Sequence, residues 1–309
     1  MSLPSVDRDR AARLRNTATY AALAAAIVLI AAKFSAWLGT GSVALLSSLV
    51  DSMVDAAASA VNFVAVRHAM SPADREHRFG HGKAEPLAAL GQSAFLVGSA
   101  MLLLAEAVRR LIWPVAIENT LAAVIVMVFS TIVAAALVTY QRHVVRHTGS
   151  LAINADELHY RGDIVLNLAV IAAIGLSSRL KLPILDPLFG ALAGLWIIYR
   201  AMSIVRLSLT QLMDQELPDA QRTRIRNIAE HHPEVSAVHD MRTRVSGPTA
   251  FIQLHLEMDG AMNLMRAHKI ADEVEAALRR AYPNAEIIIH QDPAGLEVPP
   301  VFPSRAGVQ

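Results

Sequence analysis

The chain of 309 residues is 54% hydrophobic and only 18% charged, with a mean hydropathy of +0.38, which excludes an ordinary soluble protein and predicts a polytopic membrane protein. Its net charge of +1 is far too small for a nucleic-acid-binding surface. Because the chain has no cysteine, disulfide frameworks and thiolate metal sites are excluded, and any metal chemistry falls to carboxylates and to the 12 histidines.

Six apolar segments follow an arginine-rich start. Each segment supplies about the 20 residues that an α-helix needs to cross the ~30 Å hydrocarbon core of a bilayer. The first is longer than the apolar region of a signal peptide, and another span follows it directly, so we interpret it as a retained helix. The sequence therefore predicts a membrane domain of six transmembrane helices within residues 1–211, with spans at 17–38, 43–66, 87–112, 119–141, 151–178 and 187–209.

The arginine and lysine residues of the short loops are unevenly distributed between the two sides of the predicted membrane domain. Such residues accumulate in cytoplasmic loops, so their distribution predicts the orientation. The richer side carries Arg8, Arg10, Arg13, Arg15, Arg67, Arg75, Arg78, Lys83, Arg142 and Arg146. The poorer side carries Arg109, Arg110, Arg179 and Lys181. We therefore expect both termini and the 67–86 loop to be cytoplasmic.

The composition changes at about Leu212 to that of a soluble domain. An amphipathic helical pattern is followed by the alternating runs "VSAVHDMRTRV" and "AFIQLHLEMD", which flank the turn "SGP" and predict a hairpin. A second amphipathic helix and the strand "AEIIIHQ" complete the order α-β-β-α-β. We expect residues 212–293 to form an α+β domain of the ferredoxin or metallochaperone type, with its helices on one face of the sheet, and residues 294–309 to form a disordered tail.

Two pairs of ionisable residues interrupt the apolar spans. Asp51 and Asp55 in the second span, and His159 and Asp163 in the fifth, are both spaced i,i+4, so each pair lies on one helical face. A charge at mid-membrane costs at least ~2.5–3.5 kcal/mol, and such residues therefore mark a pathway or a partner. Three carboxylates and one imidazole suit a divalent cation such as Zn²⁺. Interhelical hydrogen bonding and a proton relay without metal are the alternatives.

Further candidate ligands lie outside the spans. The loop "SPADREHRFGHGKAEPLAAL" places Asp74, His77 and His81 within a short turn, where plain solvated side chains are the alternative. In the C-terminal domain, four histidines and a carboxylate are distributed over the hairpin, the second helix and the last strand, a pattern that predicts a bridged binuclear metal site. They are His239, His255, His268, His290 and Asp292.

Taken together, these motifs resemble the cation diffusion facilitator family. The resemblance covers residues 12 to 293 and rests on D-x-x-x-D in the second span, H-x-x-x-D in the fifth, the loop "HRFGHGKAE", and the segments "HDMRTRVSGPTAFIQLHLEMD" and "IIIHQDP". It implies a homodimeric zinc/proton antiporter in the bacterial inner membrane, a secondary transporter and not an enzyme. The implied transport site is Asp51, Asp55, His159 and Asp163.

The resemblance also implies functions for other residues. It assigns a loop zinc site to Asp74, His77 and His81, and a binuclear cytoplasmic zinc site to the five C-terminal ligands. It places Lys83 and Asp214 in a salt-bridge network of the dimer and Leu158 at a hydrophobic gate. Zn²⁺ would thus be both the transported ion and a structural or regulatory one.

Competition between metal and protons for the same side chains would explain antiport, because metal ligands must be deprotonated. The ligand set does not distinguish Zn²⁺ from Fe²⁺, Cd²⁺ or Mn²⁺.

Two other hypotheses remain open. A membrane-anchored metal sensor or buffer would bind without transport, and an intramembrane metallohydrolase lacks the expected H-E-x-x-H motif.

Overall fold

The computed structural model describes residues 8–41, 43–113, 121–180 and 184–295. Lys181 and tail residues 296–309 lie outside the described residues, as do the side chains of Arg8 and Arg179. The chain divides into two compact units, a helical one that ends at Leu212 and an α+β one that begins at Met213.

The helical unit contains six long helices. Five of them are long and apolar enough to cross a membrane, judged on the described residues. The other helix, α5, is 30 residues long but carries four acidic or basic residues between positions 156 and 163. The bounds are α1 Arg8–Thr40, α2 Val43–Ala69, α3 Ala84–Ile112, α4 Leu121–Thr148, α5 Leu151–Leu180 and α6 Leu185–Leu212.

The position of α5 explains how it tolerates these charges. This helix contacts all five other long helices, so most of its surface faces protein. Its N-terminal half is almost continuously buried, from Leu151 to Tyr160. Large apolar side chains of the outer helices, such as Val61, Leu102 and Leu192, are exposed on the unit's surface, as lipid-facing residues are.

Helices α3 and α6 pack closely because a glycine lies at their contact. A Cβ atom added at Gly194 would lie 3.2 Å from Cγ of Leu104 and 3.4 Å from the carbonyl oxygen of Ala100. Membrane helices depend on such close backbone approach, since apolar surface gains little by leaving lipid.

We expect Gly194→Val to destabilise the helical unit by about 1–3 kcal/mol, because the branched side chain must displace Leu104. Thermal unfolding of the protein in detergent measures this loss, with the fraction of protein that still elutes as a monodisperse peak in size-exclusion chromatography as the readout. Gly98→Val is the matched control, since a Cβ at Gly98 of α3 meets nothing within 4 Å. Equal stability of the two variants would contradict the prediction.

The smaller unit has the predicted order α-β-β-α-β, which confirms the expected α+β fold. Strand β1 pairs antiparallel with β2, and β3 pairs parallel with β2, so the sheet order is β1-β2-β3. Gly247, with φ +57°, forms the hairpin turn in a conformation that favours glycine. The bounds are α7 Asp219–Glu230, β1 Ala237–Ser246, β2 Thr249–Met258, α8 Leu264–Ala281 and β3 Ala285–Pro293.

The core of this unit lies on one face of the sheet only. Alternate residues of β2, namely Ile252, Leu254 and Leu256, are buried together with apolar residues of both helices. His255 lies between them in sequence and therefore points to the opposite face. The helix-free face is thus the one that carries the histidines.

Candidate metal sites

Helix α2 presents a polar face to the interior of the helical unit. Ser52, Asp55, Ser59 and Asn62 recur at spacings of three and four residues, so they share one side of the helix. Each has a partner on another helix. The hydroxyl of Ser52 accepts from Lys33, Asp55 faces His159, and the amide of Asn62 donates to the carbonyl of Ala152.

Asp55 of α2 meets both predicted ligands of α5. Nε2 of His159 lies 3.0 Å from Oδ1 of Asp55 and 3.9 Å from Oδ2 of Asp163. His159 is buried, whereas the two carboxylates are partly exposed. One ligand atom from each of the three residues lies within 4.8 Å of the other two. The structure therefore brings together three of the four residues that the sequence predicts.

The spacing of these atoms is compatible with a bound metal ion. Nε2 of His159 is buried and has no hydrogen-bond partner in the described part of the chain, although Asp55 is so close. Ligand atoms of a tetrahedral zinc ion are about 3.3 Å apart, from bonds of about 2.0–2.1 Å. The distances of 3.0 and 3.9 Å lie on either side of this value. The donor set can thus hold a small divalent cation.

Asp51, the fourth predicted ligand, lies one turn before Asp55 on α2. Its side chain is exposed, and it is not part of the close group of three found among the described residues. Its function as a ligand stays a prediction.

Asp156, a fully buried carboxylate one turn before His159, was not among the predicted site residues. Its Oδ1 accepts from Ser59 at 3.3 Å and Gln92 at 3.1 Å, and its Oδ2 accepts from Gln141 at 2.6 Å. Helices α2, α3, α4 and α5 therefore meet at this carboxylate. Its three-residue spacing from His159, on the same helical face, was a signal that it belongs near the site.

Lys33 of α1 was not among the predicted site residues either. It is the only acidic or basic residue between Arg15 and Asp51. Its Nζ donates to the carbonyl oxygen of Ser48 at 3.1 Å and to Oγ of Ser52 at 2.6 Å. An isolated charge within an apolar run was the available signal.

Leu158, the predicted gate residue, is buried directly before His159. It packs in a cluster with residues of α3 and α6, including Leu96 and Ile197. This position adjoins the candidate site, and the gating function stays a prediction.

The three predicted ligands of the loop also converge. Nε2 of His81 lies 3.3 Å from Oδ2 of Asp74, and Nδ1 of His77 lies 3.5 Å from Oδ1. The backbone N–H groups of His77 and Glu76 donate to Asp74 Oδ1 and hold the pKa of this carboxyl below its ordinary value. The ring of His68 packs against His81, with centroids 4.4 Å apart, so a third imidazole borders the cluster.

Strand register creates the third cluster, on the helix-free face of the sheet. His239 of β1 lies opposite His255 of β2, and His255 lies opposite His290 of β3, so three imidazoles form a row across the sheet. A β-bulge follows His239, where Asp240 has a φ of +43°. Such bulges re-aim the side chains beside them.

Asp292 contacts every imidazole of this row. Its Oδ2 lies 2.8 Å from Nδ1 of His255 and 3.3 Å from Nε2 of His239, while its Oδ1 lies 3.2 Å from Nε2 of His290. Burial raises the pKa of Asp292, but the hydrogen bond with His255 and the charges of the histidines outweigh it and leave the pKa below its ordinary value. The carboxylate is ionised at neutral pH and has both oxygens available for bridging.

His268 does not join this row within the chain. It lies on α8, is 63% exposed and pairs with Asp272 of the same helix. Helix α8 packs through Ile270, Val274 and Leu278 on the other face of the sheet. Glu257 takes a place near the row instead, with Oε1 3.0 Å from Nδ1 of His239.

Lys83 and Asp214 each have partners within their own unit. Nζ of Lys83 donates to the carbonyl oxygen of Leu212 at 3.4 Å, and Oδ1 of Asp214 lies 3.2 Å from Nη1 of Arg244. Their salt-bridge network in a dimer stays a prediction.

Two family models match the chain. The cation efflux transmembrane domain matches residues 19–213, and the cytoplasmic domain of cation efflux proteins matches residues 217–294. The cation-efflux pump FieF of Serratia proteamaculans (strain 568) is 46% identical over 288 residues, which are 92% of this chain and 95% of that protein. FieF of Pectobacterium atrosepticum is 46% identical over 282 residues, 91% of this chain and 94% of its own.

Among solved structures, the zinc form of CzrB, described as a zinc transporter, is 34% identical and covers 28% of this chain and 98% of its own, with a TM-score of 0.26. The matches over both units describe a multi-pass membrane transporter and not an enzyme. The chain belongs to the cation efflux family, which confirms the resemblance drawn from its motifs.

Proposed function

We propose that this protein exports divalent metal cations, Zn²⁺ foremost, from the cytoplasm in exchange for protons. The observation that carries the proposal is the convergence of Asp55, His159 and Asp163 inside the membrane unit. Relatives named as cation-efflux pumps support the direction of transport.

Asp51 serves as the fourth ligand of the transport site. It shares a face of α2 with Asp55, and an exposed carboxylate can turn toward a bound ion. Three carboxylates and one imidazole accept Zn²⁺ and also Fe²⁺ and Cd²⁺, since oxygen and imidazole ligands suit several divalent ions.

Protons and metal compete for the same four side chains. Metal binding needs ionised carboxylates and a neutral imidazole, so protonation from the far side releases the ion. Alternating access separates the two steps, with Leu158 closing the cytoplasmic approach to His159. The bound ion must favour one state over the other to drive the cycle.

The clusters outside the membrane regulate the transporter through zinc. The row formed by His239, His255 and His290 with Asp292 holds two ions, bridged by the carboxylate. Since His268 lies on the opposite side of the sheet in its own chain, it reaches such a site only from a second copy. The protein is therefore a homodimer, in which Lys83 and Asp214 link the copies and the loop ligands Asp74, His77 and His81 hold a further ion.

The protein lies in the bacterial inner membrane with both termini in the cytoplasm. The arginines at the start of α1, in the 67–86 segment and near the end of α4 support this orientation. It places both extramembrane clusters on the side from which metal is exported.

Transport into liposomes that contain a zinc indicator tests the proposal. We expect the Zn²⁺ flux into the liposomes to increase severalfold when the liposome lumen is acidified. A protonophore should abolish this increase. Binding without flux would indicate a sensor or buffer, and flux that ignores the pH gradient would remove the proton exchange. Competition by Fe²⁺, Cd²⁺ and Mn²⁺ in the same assay ranks the metals.

A further inference from the structure

Lys33 places an ammonium group beside the candidate transport site. It lies in α1, within an apolar run, and its Nζ reaches α2 at Ser48 and Ser52. Ser52 is buried and directly follows Asp51. A hydroxyl and a carbonyl oxygen thus fix a cation on the helix that carries two of the proposed ligands.

The depth of Lys33 shows that it is more than a residue anchoring α1 at the membrane surface. Thr40, at the end of α1, lies seven positions after Lys33, a distance of roughly 10 Å along the helix. Lysines near helix ends extend toward the interface, where their charge is hydrated. Lys33 instead bonds to an inward-facing serine, although a charge at this depth is costly.

The ammonium acts on the site through its field and not through contact. Ser52, to which Nζ donates, directly follows Asp51 and lies one turn before Asp55 on α2, so the charge of Lys33 lies near the proposed ligands. In the described part of the chain, however, Nζ has no carboxylate oxygen within 4.0 Å, and the two bonds to α2 account for its position. The carboxylates therefore stay available to a metal ion that the lysine repels.

We infer that Lys33 is a fixed cation that weakens the binding of divalent metal at Asp55, His159 and Asp163 and thereby speeds its release, a function that rests on the proposed transport site. A transporter must hold its ion strongly enough to select it and weakly enough to let it go. Three carboxylates in a low-dielectric interior attract a dication strongly, and one nearby positive charge reduces this attraction.

Charge repulsion and a change of ligand affect different metals differently. Repulsion depends on the charge of the ion, so it is the same for Zn²⁺, Cd²⁺ and Mn²⁺. Loss of Lys33 should tighten the binding of all three ions by a similar factor. A change of ligand would alter their relative affinities instead, because metals differ in their preference for nitrogen and oxygen.

Metal titration of the full-length protein in detergent, combined with flux in liposomes, tests this inference. The binding event of interest is the one that Asp55→Asn removes. We expect Lys33→Gln, which keeps a donor for Ser52, to tighten that event by at least about tenfold for each metal. KM and kcat of transport should both fall severalfold, since slow release then limits turnover. Lys33→Met is a second neutral variant, and Lys33→Arg preserves the charge.

The outcomes are distinct. Tighter binding in Lys33→Gln or Lys33→Met, with none in Lys33→Arg, supports the inference. Unchanged or weaker binding in the neutral variants overturns it, and so does equal tightening in all three variants, which would implicate side-chain size. If Asp55→Asn removes no binding event and leaves flux intact, the proposed transport site itself fails.

Discussion

Asp55→Asn is expected to lower metal flux in liposomes by more than about 100-fold, a larger loss than substitutions beside metal ligands usually cause. The asparagine keeps the size of the side chain but removes the charge that faces Nε2 of His159 at 3.0 Å. A neutral amide neither attracts a dication into the membrane nor exchanges a proton for it. The variant should therefore lose both metal binding at this site and the response of flux to a pH gradient.

Glu106→Gln is the matched control for this experiment. Glu106 is also a carboxylate of a long helix, but it pairs with Arg109 and Arg110 near the end of α3. Its removal should leave flux within about twofold of the wild-type value, because an ion pair with exposed partners contributes little. Wild-type flux in Asp55→Asn would refute the transport site. Equal losses of flux in both variants would mean that the helical unit is sensitive to the loss of any carboxylate and would not identify a transport site.

Asp292→Ala is expected to weaken metal binding in the α+β unit by more than about 100-fold. The carboxylate contacts His239, His255 and His290, with one oxygen toward two imidazoles and the other toward the third. Its loss leaves three imidazoles without the anion that joins them, so both ions of the proposed pair should be lost together. Metal stoichiometry of the purified full-length protein, measured after dialysis, gives the result directly.

The control for this substitution lies on the same strand. Glu286→Ala removes an exposed carboxylate of β3 that no ligand of the row contacts among the described residues, and its metal content should match the wild type. Retention of both ions by Asp292→Ala would rule out the bridged pair. Metal loss should also weaken self-association of the protein, because His268 is proposed to complete the site from a second copy.

Asp55→Asn and Asp292→Ala should have different effects on flux and on metal content, which separates transport from regulation. Asp55→Asn should stop flux but leave the metal content of the α+β unit unchanged. Asp292→Ala should remove that metal but leave a reduced, pH-dependent flux. These opposite profiles are expected because the two ligand groups belong to separate compact units, each with its own core.

Most of the architecture could be predicted from the sequence because the relevant signals are local. An apolar run of about 20 residues defines a membrane span wherever it occurs, and alternation with a central "SGP" turn defines a hairpin. The ligand candidates were visible for the same reason. Placing a carboxylate or an imidazole within an apolar helix costs free energy, so Asp55 and His159 could be recognised as candidate ligands without knowledge of their spatial neighbours.

The grouping of these residues could not be read from local patterns. Helix rotation decides that Asp55 meets His159 while Asp51, one turn away, stays exposed. The charge of Lys33 was visible in the sequence, but only the packing of α1 against α2 shows that it reaches Ser52. Asp156 likewise acquires its partners from three other helices.

In the α+β unit, strand register decides which candidate ligands lie together. It aligns His239, His255 and His290 in one row, and the side of the sheet on which α8 packs excludes His268 from it. The sequence by itself thus determined the helices, the strands and the kinds of ligand, since hydrophobicity and the cost of buried charge act residue by residue. Only the tertiary structure decided which ligands face one another, because that depends on helix rotation and strand register, which long-range packing sets.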